Sequence, residues 1–308
     1  MEKMEAVRIH QYGGPEELKV EEVPRPQAAA GEVLIRVHAA GVNPVDWKIR
    51  AGYLKDFMPV PMPFIPGIDV SGVVEATGPA VTQFKKGDEV FGAGKGAYAE
   101  FAVAKESELA RKPASLDHVH AAALPVAALT AWQALFNVAH LTAGQRVLIH
   151  GASGGVGSFA AQFAKAKGAY VIGTASGRNQ AYLRELGVDE PIDYEKARFE
   201  DVVRNVDVVL DTQGGDTEQR SWKVLKKGGM LVSIVQLPSA EEAAKHGARS
   251  ARFVRQPNAG ELSEIARLVD SGKVMVAVDS VLPLSEAARA HELSQTGHAR
   301  GKLVLKVA

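Results

Sequence analysis

The stretch HGASGGVGSFAAQFAKAKG, residues 150–168, decides the fold of half of this chain. Just before it, Arg146–Ile149 (RVLI) is a short, apolar and partly β-branched run of the kind that forms a buried parallel strand. Just after the glycines, Phe159, Ala160, Phe163, Ala164 and Lys167 recur at helical spacing, with Gly168 placed to stop the helix. Between strand and helix stand Gly151, Gly154, Gly155 and Gly157. Such a turn lets backbone approach a pyrophosphate and aims the free N–H groups and positive end of the helix at it. The spacing departs from G-x-G-x-x-G, and the glycines alone identify nothing; the strand–turn–helix context makes this a dinucleotide site.

The next strand, residues 170–174, bears on which dinucleotide. A site for NAD usually ends this strand on Asp or Glu, which holds the ribose 2′-hydroxyl. Here the residues are Ala175, Ser176, Gly177, Arg178 and Asn179. A hydroxyl, a guanidinium and an amide can donate to a 2′-phosphate that a carboxylate would repel, so the reading is NADPH. Arg178 as a solvated residue of the following helix is the alternative.

The chain has 308 residues, with 36 Lys plus Arg against 36 Asp plus Glu, so no overall field recruits nucleic acid or an anionic membrane. It contains no cysteine, which removes disulfides, thiolate catalysis and cysteine-based metal sites and suits a reducing cytoplasm. The first ten residues, MEKMEAVRIH, lack the apolar core of a secretory signal. Residues 118–145 carry no Asp, Glu, Lys or Arg, but three histidines, Pro125, Gln133 and Asn137 suit a buried helix better than a membrane span.

From residue 4 to about 112 the pattern is short strands and turns, at 4–10, 18–23, 32–39, 70–74, 89–91 and 97–103. A helical run is expected over 121–139, followed by strands at 146–149, 170–174, 191–194, 206–211 and 230–235 alternating with helices at 179–186, 199–204 and 217–225. Alternating β and α units imply a doubly wound parallel sheet, so the fold class is α/β. The tail adds helices at 260–271 and 285–296 and strands at 274–278 and 302–307, too little for a third domain.

Six stretches stand in order along the chain: AAGVNPVDWKIRAG (39–52), PGIDVSGVVEATG (66–78), KKGDEVFG (85–92), ALPVAALTAWQAL (123–135), HGASGGVG (150–157) and GHARGKLVLKV (297–307). With these, the chain resembles the medium-chain dehydrogenase/reductase superfamily, in its zinc-free quinone oxidoreductase and enone (alkenal) reductase branch. The resemblance implies a chaperonin-10-like, β-rich catalytic domain from residues 1–118 and 255–308, a Rossmann NADP-binding domain over 119–254, and an active site in the cleft. Zinc-dependent relatives place Cys where Asn43 stands and His where Ile68 stands, beside a Glu matched by Asp69, and they carry a four-cysteine lobe missing here. Two of the ligand positions are therefore unable to hold zinc. The nine histidines are scattered, and His150 reads as a strand-end core residue.

By the same resemblance, Asn43 lies near the nicotinamide and the Lys48 position faces substrate. A Tyr is frequent there in quinone reductases, whereas Lys resembles the enone and alkenal reductases. Lys48 could donate to an enolate oxygen, with Tyr53 as second donor or aromatic wall. Lys48 also reads as a solvated helix residue, Asp46 as a helix cap rather than an acid, and Trp47 as core. For the cofactor, the resemblance points to Thr130 near the nicotinamide, to Gly151, Ser153, Gly154, Gly155, Val156 and Gly157 at the pyrophosphate, and to Ser176, Arg178 and Tyr194 around the adenosine phosphate. Val235 and Gln236, at a strand's carboxyl end, and Phe253 belong beside the nicotinamide. Arg300 and Lys302 either reach the phosphates or are plain surface charges.

The expected activity is hydride transfer from NADPH to a quinone or an α,β-unsaturated carbonyl compound, small molecules already electrophilic enough to react without a metal. A second class of reading is a non-catalytic NADPH-binding protein, crystallin-like or recruited to another role. The resemblance also suggests a homodimer, formed through residues 230–235 as an apolar edge strand.

Overall fold

The frequent glycines and prolines of the first third leave room for short strands only, and these pair mostly antiparallel. In a computed structural model that describes residues 2–308, the chain separates into two units. The first takes the residues up to Val126, Pro257–Gly272 and Val276–Ala308; the second takes Ala127–Gln256 and Lys273–Met275. The sequence had suggested a first change at 118/119. The change comes later because the helix at His118–Ala122 belongs to the first unit, against its central strands.

In the first unit, β1 (Lys3–Arg8) and β2 (Lys19–Pro24) form an antiparallel pair. Next come β3 (Glu32–Val42), α1 (Pro44–Arg50), β4 (Asp69–Thr77), β5 (Glu89–Ala93), β6 (Phe101–Lys105), β7 (Leu109–Arg111) and α2 (His118–Ala122). The expected strand over 97–103 starts only at Phe101, because the N–H groups of Ala97 and Tyr98 bond instead to the carbonyls of Gly67 and Pro66. Alternation along β3 buries Val33, Ile35 and Val37 against Val70, Val74 and Val90. Each such side chain contributes roughly 1.5–3 kcal/mol.

The single helical run expected over 121–139 is broken. α2 ends at Ala122 and α3 (Pro125–Trp132) begins on Pro125, which lacks the N–H a continuing helix would need. A π-helical segment, Gln133–Val138, follows. The Gln133 amide accepts from the Gln256 N–H (2.9 Å) and donates to its carbonyl (2.8 Å).

The second unit continues with β8 (Arg146–Ile149), α4 (Gly155–Ala166), β9 (Tyr170–Ala175), α5 (Gln180–Glu185), β10 (Glu190–Asp193), α6 (Phe199–Val202), β11 (Val206–Asp211), α7 (Gly215–Ser221), β12 (Leu225–Ser233), α8 (Ala240–Lys245) and β13 (Arg249–Arg252). Its six strands lie in the order β10-β9-β8-β11-β12-β13, all parallel. This is the doubly wound order of a Rossmann domain, whose direction of winding reverses between β8 and β11. The expectation that 230–235 forms the sheet edge is corrected. β12 is sandwiched between β11 and β13, and the short, arginine-bearing β13, absent from the sequence reading, forms the edge.

The chain then returns to the first unit with α9 (Ala259–Asp270), β14 (Val278–Pro283), α10 (Ala287–Gln295) and β15 (Lys302–Lys306). The expected strand over 274–278 is displaced to β14. Met275 instead accepts through its carbonyl from the Gln162 amide (3.1 Å) and donates its N–H back to it (2.7 Å). β15 pairs antiparallel with β3 in the register Leu303↔Val42, so the last strand closes on one of the first. Among the described residues no helix is long and apolar enough to cross a membrane.

Candidate functional site

In the second unit the turn after β8 is shaped by two glycines. Gly151 holds φ at +62°, which favours a residue without Cβ. A Cβ on Gly157 would lie 2.2 Å from the Gly151 carbonyl oxygen and 2.7 Å from Ala152 Cα, so the first turn of α4 closes directly on the backbone before it. No side chain caps α4. Its leading N–H groups, with Ser153, Gly154, Gly155 and Val156 half-buried around them, are left to an anion at the carboxyl ends of β8 and β11. That donor set and that closeness fit a pyrophosphate.

A cavity of about 250 Å³ continues along the carboxyl ends of β8 to β11, lined among others by His150, Thr174, Tyr194, Arg198, Phe199 and Arg220. His150 is core, as its strand-end position implied. It is fully enclosed between the Thr174 hydroxyl (3.2 Å) and the Ser221 hydroxyl (2.9 Å), and burial holds its pKa down to about 4. At the end of β9, the Ser176 hydroxyl accepts from the Asn179 amide (3.1 Å), while Arg178 and Tyr194 are exposed. Gln236 is held at both ends of its amide, accepting from the Gly215 N–H (3.1 Å) and donating to Glu218 (2.6 Å). Val235 is exposed, Phe253 half-buried, and Thr130 buried in α3.

In the first unit Asn43 caps α1, and Asp46 completes the capping box by accepting the Asn43 N–H (2.8 Å). The β15–β3 register sets Lys302 beside Asn43. The buried Lys302 ammonium donates to Asn43 Oδ1 and to the Val42 carbonyl (2.9 Å), and lies 3.5 Å from Asp69 Oδ2. Asp69 in turn accepts from Asn43 Nδ2 (2.8 Å) and from the Val126 N–H (2.8 Å). The Asn43 amide is thereby oriented at both ends.

Behind it runs a directional chain. Arg50 Nε donates to His291 Nδ1 (3.3 Å), which leaves the ring hydrogen on Nε2, facing the Tyr98 hydroxyl (3.2 Å). That hydroxyl donates to Asp46 Oδ2 (3.1 Å). Burial dominates at two of its members: it pushes the Asp46 carboxyl up to about 7 and His291 down to about 3.

On the next turns of α1, Lys48 is half-buried; its ammonium stands 5.6 Å from the centre of the Trp47 ring and has no carboxylate partner among the described residues. Tyr53, 69% exposed, meets the same ring edge-on at 5.8 Å. Trp47 is half-buried rather than core.

Comparison with known proteins places the chain in a family. The alcohol dehydrogenase GroES-like domain matches residues 29–114, and a zinc-binding dehydrogenase family matches residues 186–305. A mouse quinone oxidoreductase is 35% identical, over 98% of this chain and 97% of its own. The solved quinone oxidoreductase of Coxiella burnetii superposes with a TM-score of 0.92 at 38% identity, all of both chains being covered. A mycobacterial protein solved in complex with NADPH gives 0.90 at 31% identity, over 99% of this chain and all of that one. The chain belongs to the medium-chain dehydrogenase/reductase superfamily, in its quinone oxidoreductase branch. It is an NAD(P)-dependent oxidoreductase.

One residue of this oxidoreductase lies where its sequence did not put it. Lys302 was expected at the phosphates or on the surface; its ammonium is instead enclosed by Asn43, Val42 and Asp69. Arg300 is exposed, and its N–H donates to Asp279 (3.1 Å). The reading of the sequence passed over Tyr98, His291 and Arg50, and also Arg198 and Arg220 at the cavity. No spacing announces them, since Tyr98 and His291 are 193 positions apart. Among the described residues no three His, Asp or Glu side chains gather as metal ligands would.

Proposed function

We propose that this oxidoreductase reduces quinones or α,β-unsaturated carbonyl compounds with NADPH and without a catalytic metal. The observation that carries the reading is Lys48, a residue half-buried on α1 whose ammonium has no carboxylate partner among the described residues. Such a cation is an N–H donor suited to an oxygen on which negative charge develops as a conjugated acceptor is reduced. Tyr53 supplies a second donor or an aromatic wall for a planar acceptor. A reduced nicotinamide, when bound, supplies the hydride. The protein's own task is to hold the pyrophosphate on the turn at residues 151–157, to keep Asn43 oriented through Asp69 and Lys302, and to place the acceptor's oxygen on Lys48. The metal-free reading is supported by the donor set: Asn43 and Ile68 replace the Cys and His of zinc-dependent relatives, and Asn43 and Asp69 serve an ammonium. NADPH is favoured by Ser176, Arg178 and Tyr194, and by the NADPH complex of the mycobacterial relative. A cysteine-free chain suits the reducing cytoplasm. A homodimer belongs to the same reading, with β13 as the edge on offer.

The test is NADPH oxidation with a 1,4-quinone and a 2-alkenal in parallel, for the native chain and for Lys48→Met. Turnover that falls roughly 10²-fold in Lys48→Met, with unchanged NADPH affinity, is expected, as for loss of one oxyanion donor. Full turnover in Lys48→Met removes the role given to Lys48. Tight NADPH binding with no turnover on either acceptor replaces the enzyme by a binding protein.

A further inference from the structure

The sequence shows no carboxylate at the end of β9, yet the fold brings two there. Tyr194, after β10, donates its N–H to the Ala175 carbonyl (3.2 Å), and this pins the end of β10 beside the turn at residues 176–178. Glu195 Oε2 then accepts the Gly177 N–H at 3.0 Å. Asp193 Oδ2 lies in the same place. A Cβ on Gly177 would meet Asp193 Oδ2 at 2.9 Å and Glu195 Oε2 at 3.3 Å, and that Asp193 oxygen is buried without a hydrogen bond. The Asp193 carboxylate also anchors the bend, its other oxygen accepting the Glu195 N–H (3.0 Å). The backbone donor beside Ser176 and Arg178 is therefore served by the protein's own anion.

We propose that Glu195 is a specificity-determining residue that opposes the cofactor's 2′-phosphate. Its carboxylate stands on the Gly177 N–H where a phosphate oxygen would go. NADPH must displace it and then tolerate two carboxylates close by, a repulsion that Arg178 offsets. NADH leaves Glu195 in place to accept a ribose hydroxyl, which is the service an acidic residue at the end of the second strand performs elsewhere. The consequence is a chain that takes NADH alongside NADPH, with a smaller preference for the phosphate than the residues 175–179 imply when read alone. The inference rests on the reading that the 2′-phosphate comes to Ser176 and Arg178.

The experiment measures dissociation constants of NADPH and NADH by calorimetry for the native chain, Glu195→Gln and Arg178→Ala. Glu195 is exposed, so the variant keeps the fold, and glutamine keeps an acceptor for the Gly177 N–H while losing the charge. NADPH is expected to bind roughly tenfold more tightly to Glu195→Gln, the scale of one like charge removed near the surface, while NADH changes less than about twofold. If Arg178→Ala weakens NADPH but Glu195→Gln leaves it unchanged, the phosphate binds here and Glu195 does not oppose it, which overturns the proposal alone. If neither variant changes NADPH binding, the phosphate binds elsewhere and both readings fall.

Discussion

Lys302→Met is the sharpest test of how the first unit is held together. The native side chain is 5% exposed and its partner Asp69 is fully buried. The variant keeps the aliphatic stem and deletes the ammonium. Asn43 Oδ1 loses the Lys302 donor, and the Asp69 carboxylate keeps the Asn43 side-chain amide and the Val126 N–H but loses the ammonium that stood 3.5 Å away. Removing one partner of a buried ion pair costs about 3–5 kcal/mol, because the other charge stays desolvated. Asp69→Asn takes the carboxylate from beside the buried ammonium in the same way. The double variant removes both charges, so its loss should fall short of the summed single losses by roughly 1–3 kcal/mol, the coupling expected of side chains in contact. The assay is urea unfolding followed by far-ultraviolet circular dichroism. With a slope of about 3 kcal/mol per molar, each single variant lowers the first midpoint by about 1–1.7 M. Shifts below about 0.3 M in both single variants, or strict additivity in the double one, would refute the enclosed pair.

Two further outcomes follow from the same geometry. Asp46 has a pKa of about 7 when folded against 3.8 as its ordinary value, so the folded state binds the extra proton and its stabilising share is lost as pH rises from about 4 to about 7. Asp46→Asn, which still accepts from Asn43 and Tyr98, should remove that part of the pH dependence; a stability difference between native and variant that stays flat over pH 4–7 would contradict it. Gly157→Ala forces a methyl to 2.2 Å from the Gly151 carbonyl, so α4 must shift off the turn. NADPH affinity should drop at least tenfold with about 1–3 kcal/mol of stability, and native affinity by calorimetry would show that the backbone does not close as described.

What could be read along the chain was local. The strand at Arg146–Ile149, the glycines and the amphipathic helix to Ala166 sit within one short stretch, and their cause, burial at strand and then helix period, acts between near neighbours. The same holds for β3 and β11. Boundaries failed where a local pattern met a partner from elsewhere. Pro125 split an apparently continuous helix, and the Gln162 amide took the backbone bonds that a strand at 274–278 needed.

By itself, then, the sequence determined the α/β class and the glycine turn between β8 and α4, because each is written in spacings of a few residues. Tertiary structure alone decided which charges face each other. Lys302 reaches Asn43 across 259 positions because β15 pairs with β3, and Tyr98 reaches Asp46 across 52. Glu195 arrives at Gly177 because β10 runs parallel to β9. Electrostatic partners are chosen by distance in space and by exclusion of water, and neither quantity exists until the strands have paired.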